Sequence, residues 1–239
     1  MEGDDAELLG PNSRVSVTGA SGSGKTTNVL KILGDKRVKI LDRVIWLAPP
    51  FSCRQKEITE LAQRGHFKGQ PNKAFLLIPA GDGWPELVEQ ALKEGESDPK
   101  FHQILVMDDM LQETGHGPAE KLFTAMWISG RHRRCGIWEL GHRCFPTQAS
   151  KIHRTNAEIF ILHRMASKDE ISTLLRQICP EDCAQLAAAY NKIVAESPYG
   201  FLLVDNRFHK KWPELKYRTC DLETCLLYTS DAADEAYDV

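Results

Sequence analysis

Val15-Ser-Val-Thr-Gly-Ala-Ser-Gly-Ser-Gly-Lys-Thr26 decides how the rest of the chain is read. The first four residues are short and β-branched, the pattern of a buried strand. The next eight, Gly19, Ala20, Ser21, Gly22, Ser23, Gly24, Lys25 and Thr26, fit G-x-x-x-x-G-K-[ST]. Lys25 to Leu33 follows with Val29, Leu30, Ile32 and Leu33 apolar, which reads as a helix. In that strand–loop–helix setting the glycines let successive backbone N–H groups face phosphate oxygens, and the helix N-terminus adds its positive end. Lys25 is expected to reach the β- and γ-phosphates and the Thr26 hydroxyl to ligate Mg²⁺, with Thr27 completing the binding segment. The ligand implied is a Mg²⁺-bound nucleoside triphosphate, ATP.

Downstream, strand and helix signals alternate. Strands are expected at Val44–Ala48, Ala74–Ile78, Gln103–Met107, Gly136–Leu140, Ile159–Leu162 and Tyr199–Val204. Helices are expected at Lys56–Arg64, Trp84–Glu94, Pro118–Ser129, Lys168–Ile178 and Glu181–Glu196. Continuous apolar strands between helices imply a mostly parallel sheet covered on both faces. The fold class is therefore α/β, a P-loop NTPase with a central sheet flanked by helices. Gly65 to Gly83, rich in Gly, Pro and Lys, reads as a flexible excursion. Gln103-Ile-Leu-Val-Met-Asp-Asp109 is the second half of the site, because a buried strand delivers carboxylates to its C-terminal end, where open α/β sheets bind ligands. Asp108 suits Mg²⁺, and Asp109 suits polarising an attacking water.

The chain has 239 residues, 42% hydrophobic and 26% charged, an ordinary composition for one folded domain. No apolar run is long enough for a membrane span. The acidic start gives an N-terminal extension over residues 1–13. Cys225-Leu-Leu-Tyr-Thr-Ser-Asp-Ala-Ala-Asp-Glu235 resembles the translation of a transposase-type sequencing adapter, which would make residues 225–239 foreign and leave 14–224 as the ATPase domain, truncated at its C-terminus. With 30 Lys and Arg against 33 Asp and Glu the net charge is −3; without that segment's four acids it is 30 against 29, or +1. Neither value marks a globally basic nucleic-acid binder, so any DNA contact has to come from a local patch. Cys179 and Cys183 read as reduced core thiols, and His102, His116, His153 and His163 have no partner at metal-ligand spacing. The five tryptophans, Trp46, Trp84, Trp127, Trp138 and Trp212, read as packing residues, although Trp46-Leu-Ala-Pro-Pro50 could abut the adenine.

Taken in order, GASGSGKT at 19–26, ILVMDD at 104–109, Gly130-Arg-His-Arg133 and Arg154-Thr-Asn156 resemble the viral genome-packaging ATPases of poxvirus type, in the FtsK–HerA superclass. Similar versions are carried by large DNA viruses and Polinton-like elements. The resemblance spans about Arg14 to Asp205. It implies a homo-oligomeric ring that pumps double-stranded DNA into a preformed capsid at an intracellular viral assembly site, with a capsid or portal-vertex protein as partner. It also implies an arginine reaching the neighbouring subunit's γ-phosphate, Arg154 first and Arg131 second. The family commonly has Gln as a polar sensor after the Gly-Arg-His-Arg segment. Here Leu140-Gly-His142 stands in that place, so His142 takes the candidate role. Two other readings stay open: a P-loop kinase that closes Gly130–Arg134 over the phosphates as a lid, and a nucleotide-binding assembly switch.

Overall fold

The structure is a computed structural model that describes residues 12–35, 41–110, 118–142, 155–206 and 217–220. Arg154, Trp212, His116, His153 and residues 225–239, named above, lie outside the described residues.

Strands β1 (Arg14–Thr18), β2 (Arg43–Ala48), β5 (Gln103–Asp108), β6 (Cys135–Gly141) and β7 (Ile159–His163) are almost wholly buried. Their near-continuous apolar sequences reflect burial on both faces. β4 (Gln70–Pro79) lies outside β2, and the two-residue β3 (His66–Phe67) lies outside β4. β8 (Phe201–Asp205) and β9 (Tyr217–Cys220) close the opposite edge. Among the described residues the nine strands run in the order β3-β4-β2-β5-β6-β1-β7-β8-β9. From β4 to β7 all pairings are parallel, whereas β3, β8 and β9 pair antiparallel with their neighbours. The segment 65–83 is thus mostly sheet edge, not the loose excursion its Gly and Pro content suggested. Gly65, at φ 74°, ends the preceding helix in the left-handed conformation, and the chain then turns straight into the β3–β4 pair. Pro71 is tolerated there because β4 lies near the sheet edge.

The helices whose full range lies among the described residues are α1 (Lys25–Leu33), α2 (Lys56–Arg64), α3 (Trp84–Glu96), α4 (Pro118–Ser129), α5 (Lys168–Ile178) and α6 (Cys183–Glu196). Residues alternating along the strands divide the core in two. Val44, Trp46, Ile104, Val106, Ile159 and Ile161 pack with Val29 and Leu33 of α1 and Ile58 of α2. Ile45, Leu47, Leu105, Met107, Phe160 and Leu162 pack with Val88, Phe123, Trp127, Leu174 and Leu186 of α3 to α6. Trp46, Trp127 and Trp138 are fully buried and Trp84 nearly so. Trp46 therefore belongs to the core and is not available to an adenine ring. Local chemistry sets the boundaries. Pro85 occupies the first turn of α3 behind Gly83, and the Ser167 hydroxyl caps α5 by accepting from the Asp169 N–H at 3.2 Å. Cys179 is buried, its thiol beside the Asn206 side chain, and Cys183 is half-buried, its thiol beside the Ser172 carbonyl.

Register fixes what matters for function. Thr18 at the end of β1 pairs with Gly141 of β6 and Leu162 of β7, while Asp108 pairs with Leu140. The residues that follow these strands therefore meet at the C-terminal ends of the central strands, where the order turns back around β1. Leu105, fully buried at the middle of β5, anchors the strand that carries Asp108. Leu105→Ala should cost about 2–5 kcal/mol in urea denaturation. A loss under about 1 kcal/mol would contradict its place in the core.

Candidate nucleotide site

The loop between β1 and α1 is tight because its backbone lies directly on β7. A Cβ on Gly19 would sit 2.5 Å from the His163 Cβ and 2.8 Å from the Ser23 hydroxyl, so only glycine fits. Gly24 has φ 90°, a conformation costly to other residues, and serves as the N-cap of α1. Asn28 N–H donates to the Gly24 carbonyl at 2.8 Å, so the amides of Lys25, Thr26 and Thr27 lie ahead of that helical bond. Thr27 and Ser21 are exposed and Ser23 is buried. This leaves a run of backbone donors at the helix N-terminus, suited to phosphate.

Lys25 is 6% exposed, and its ammonium donates to the carbonyls of Gly19 at 2.8 Å and Ala20 at 3.1 Å. Burial pushes its pKa below the ordinary lysine value, while the charges of Asp109 and Asp108 pull it back up. The Thr26 hydroxyl donates to Asp108 Oδ2 at 3.2 Å. Asp108 is 1% exposed, and its pKa is pushed up to about 7, first by burial and then by the charge of Asp109. The Thr26 hydrogen bond and Lys25 oppose that rise.

Asp109 adopts φ 56°, a left-handed conformation unusual for a residue with a side chain, and its N–H donates to the Leu140 carbonyl at 2.9 Å. That turn aims the carboxylate across the strand ends toward β6. His142 Nε2 lies 3.3 Å from Asp109 Oδ2, and His142 Nδ1 lies 3.4 Å from the Lys25 ammonium. Because an ammonium only donates, Nδ1 accepts in this arrangement, and Nε2 carries the proton that it offers to Asp109. Lys25, His142 and Asp109 thus form one hydrogen-bonded chain. The other Asp109 oxygen, Oδ1, is buried without a partner among the described residues.

These groups fit a Mg²⁺-bound triphosphate. Two carboxylates and a hydroxyl are the hard oxygen donors that Mg²⁺ takes, and a cation beside them would offset both the burial and the Asp109 charge that raise Asp108. Thr26 and Asp108 would hold the ion, and Mg²⁺ when bound would neutralise phosphate charge. Lys25 and the loop amides would hold the phosphates.

Lys25, Thr26, Asp108, Asp109 and His142, all named from the sequence, converge here. Arg131 does not. It is exposed in the short 3₁₀ turn Gly130–Arg133 that precedes β6, at the end of the sheet away from the phosphate loop. Its neighbour Arg133 is tied to α3, donating to Glu89 at 2.8 and 3.0 Å and also to Glu96, and those carboxylates hold its pKa above the ordinary arginine value. Sequence reasoning missed three features of the site. Asn28 donates to the Tyr199 carbonyl at 3.1 Å, the Tyr199 ring packs over Gly24, and His163 lies beneath the loop. No spacing rule announces them, because Tyr199, in the turn before β8, and His163, at the end of β7, lie more than a hundred residues along the chain from the loop they meet.

No family model matches the chain, and no curated protein does either. By fold it is similar to the genome-packaging NTPase B204 from Sulfolobus turreted icosahedral virus 2 in complex with sulfate. That match has TM-score 0.58 and 13% identity, covering 89% of this chain and 98% of that one. The DNA-packaging ATPase B204 from Sulfolobus turreted icosahedral virus aligns with TM-score 0.58 and 12% identity over 89% and 98% of the two chains. B204 from virus 2 in complex with AMPPCP aligns with TM-score 0.55 and 16% identity over 89% and 99%. What is shared at these identities is the fold, and the chain accordingly has a P-loop NTPase fold.

The pKa of Asp108 has a consequence for stability. The folded carboxyl binds its proton more tightly than the unfolded one, whose ordinary value is 3.8. The stabilisation this provides is present at low pH and is lost as pH rises from about 4 through about 7. Asp108→Asn should therefore stabilise the nucleotide-free protein at pH 8, by an amount on the order of a few kcal/mol, with the gain shrinking toward pH 4. Thermal melts of both proteins across that range check this, and a pH-independent difference would contradict it.

Proposed function

We propose that this chain is a Mg²⁺-dependent ATPase that translocates double-stranded DNA, packaging a viral genome into a preformed capsid as a homo-oligomeric ring. The observation that carries the hydrolytic part is the Lys25–His142–Asp109 chain beside Thr26 and Asp108. Asp109, at the end of β5 beside Lys25 and Thr26, is placed to accept a proton from a water attacking the γ-phosphate. His142 orients that carboxylate and links it to Lys25, so the acid and the phosphate-binding ammonium respond together to the ligand. Holding Asp109 at positive φ costs on the order of 1 kcal/mol, a strain typical of sites where position matters more than stability.

The packaging part rests on fold likeness to the B204 proteins and on the order of the sequence motifs. In this reading Arg154 acts on the neighbouring subunit's γ-phosphate, with Arg131 as second candidate. Exposure of Arg131 far from its own chain's site is compatible with a partner across a subunit boundary. The ring would work at an assembly site inside the host cell against a capsid or portal-vertex protein. Among the described residues no helix is long and apolar enough to cross a membrane. The kinase reading loses its lid, since Gly130–Arg133 lies at the far end of the sheet and Arg133 is bound to α3. A pure assembly switch would not need the strained second acid.

ATP hydrolysis by the full chain should be stimulated by double-stranded DNA and abolished by Lys25→Ala. Arg154→Ala should lose roughly a hundredfold or more in rate while still binding nucleotide. Mixing Arg154→Ala with Lys25→Ala subunits should restore part of the activity, because each supplies what the other lacks. Hydrolysis indifferent to DNA and to Arg154 would overturn the motor and leave an ATPase of another kind.

A further inference from the structure

We propose that His163 is a positioning residue for the phosphate loop, holding the Ser23 carbonyl downward so that the Gly24 amide faces the nucleotide. This rests on the nucleotide-site reading above and deepens it.

His163 ends β7 and is fully buried. Its Nδ1 lies 3.1 Å from the Ser23 carbonyl oxygen. A carbonyl only accepts, so Nδ1 carries the hydrogen. Nε2 then has no hydrogen and is buried without a partner among the described residues. Burial, and then the charge of Lys25, push the ring's pKa down to about 4, so it is neutral at pH 7. The Phe201 ring, with centroids 5.2 Å apart, packs against it and fixes its plane.

The geometry of the peptide group turns this bond into a statement about phosphate binding. In a trans peptide the C=O and the following N–H point in opposite directions. The described chain has no cis peptide bonds. With the Ser23 oxygen drawn toward the sheet, the Gly24 N–H points away from it, into the concave side of the loop. The next residue of β7's exit makes a matching contact, since the Arg164 carbonyl accepts from the Ala20 N–H at 2.8 Å. Residues 163 and 164 therefore grip the loop at both flanks, and Gly19 has no side chain because His163 lies against it.

A residue present only to fill this space would be apolar. A leucine would avoid both the desolvation of an imidazole and its orphaned Nε2. What the imidazole adds is one donor aimed at one loop carbonyl. Without it the peptide between Ser23 and Gly24 is free to rotate, and the Gly24 amide is lost from the donor set in part of the population.

The test compares His163→Leu, which removes the donor, with His163→Asn, whose side-chain amide can occupy the Nδ1 position. ADP affinity by calorimetry should fall roughly tenfold in His163→Leu and stay within about threefold of wild type in His163→Asn. The Michaelis constant for ATP should rise in parallel while kcat changes less than about threefold, the pattern of lost ground-state binding. Equal affinity in His163→Leu and wild type, or equal weakening in both variants, would overturn the proposal. Should His163→Leu fail to fold, the imidazole nitrogen spectrum of the wild-type protein decides. At pH 7 His163 should be the Nδ1–H tautomer, and an Nε2–H tautomer would overturn the proposal. Wild type and Lys25→Ala serve as the reference pair. No ADP binding by wild type would sink the nucleotide reading and this inference with it. Binding by wild type, unchanged in His163→Leu, sinks this inference alone.

Discussion

Two carboxylates sit side by side where a fully buried strand of the sheet ends, and their burial together with their mutual repulsion is the constraint around which the site is arranged. Asp108 is almost without solvent, and Asp109 turns through positive φ to face the next strand end. Left alone, such a buried pair would take up a proton, and the pKa of Asp108, raised first by burial and then by the charge of Asp109, registers that tendency. Each neighbour offsets part of it. Thr26 donates to the first acid, His142 to the second, and Lys25 supplies the positive charge between them. The strand register holds these groups at the C-terminal ends of the central strands, and the two-faced core holds the register. A nucleotide-bound cation would complete the balance, which is why a site that destabilises the bare protein makes sense in one that works with ligand.

The sheet's exterior shows the reverse arrangement. Arg133, part of a basic turn that the kinase reading would close as a lid, is consumed by Glu89 and Glu96. It fastens the start of β6 to α3, and so helps hold the strand that delivers His142 at its other end. Charge at one end of the sheet is structural, and charge at the other is left available for chemistry.

Much of this was legible in the sequence because its signals are local. The strand–loop–helix pattern from Val15 to Leu33, the apolar run into Asp108, and the placement of His142 after β6 each depend on residues close together in the chain. The α2 and α5 boundaries agree with the observed helices for the same reason. What was not legible depends on tertiary contact. The stretch after Gly65 looked loose because Gly and Pro are turn formers, yet pairing along β2 draws it into the sheet. Trp46 looked available to a base because it ends near Pro49, but the strand's alternation turns it into the α1–α2 core. His163 carried no motif at all, and only the register of β1 against β7 places it under Ser23.

The central claim is that Asp109 activates water while the remaining groups hold the nucleotide. It is tested most directly by measuring MgATP binding and hydrolysis on the same samples of wild type and Asp109→Asn. Asparagine tolerates the left-handed conformation at that position and keeps a hydrogen-bond acceptor for His142, so the fold and the binding groups should survive. The account predicts MgATP affinity within about threefold of wild type and hydrolysis reduced by roughly a hundredfold or more. Hydrolysis at the wild-type rate with binding intact would contradict it, and would move the catalytic base to another residue.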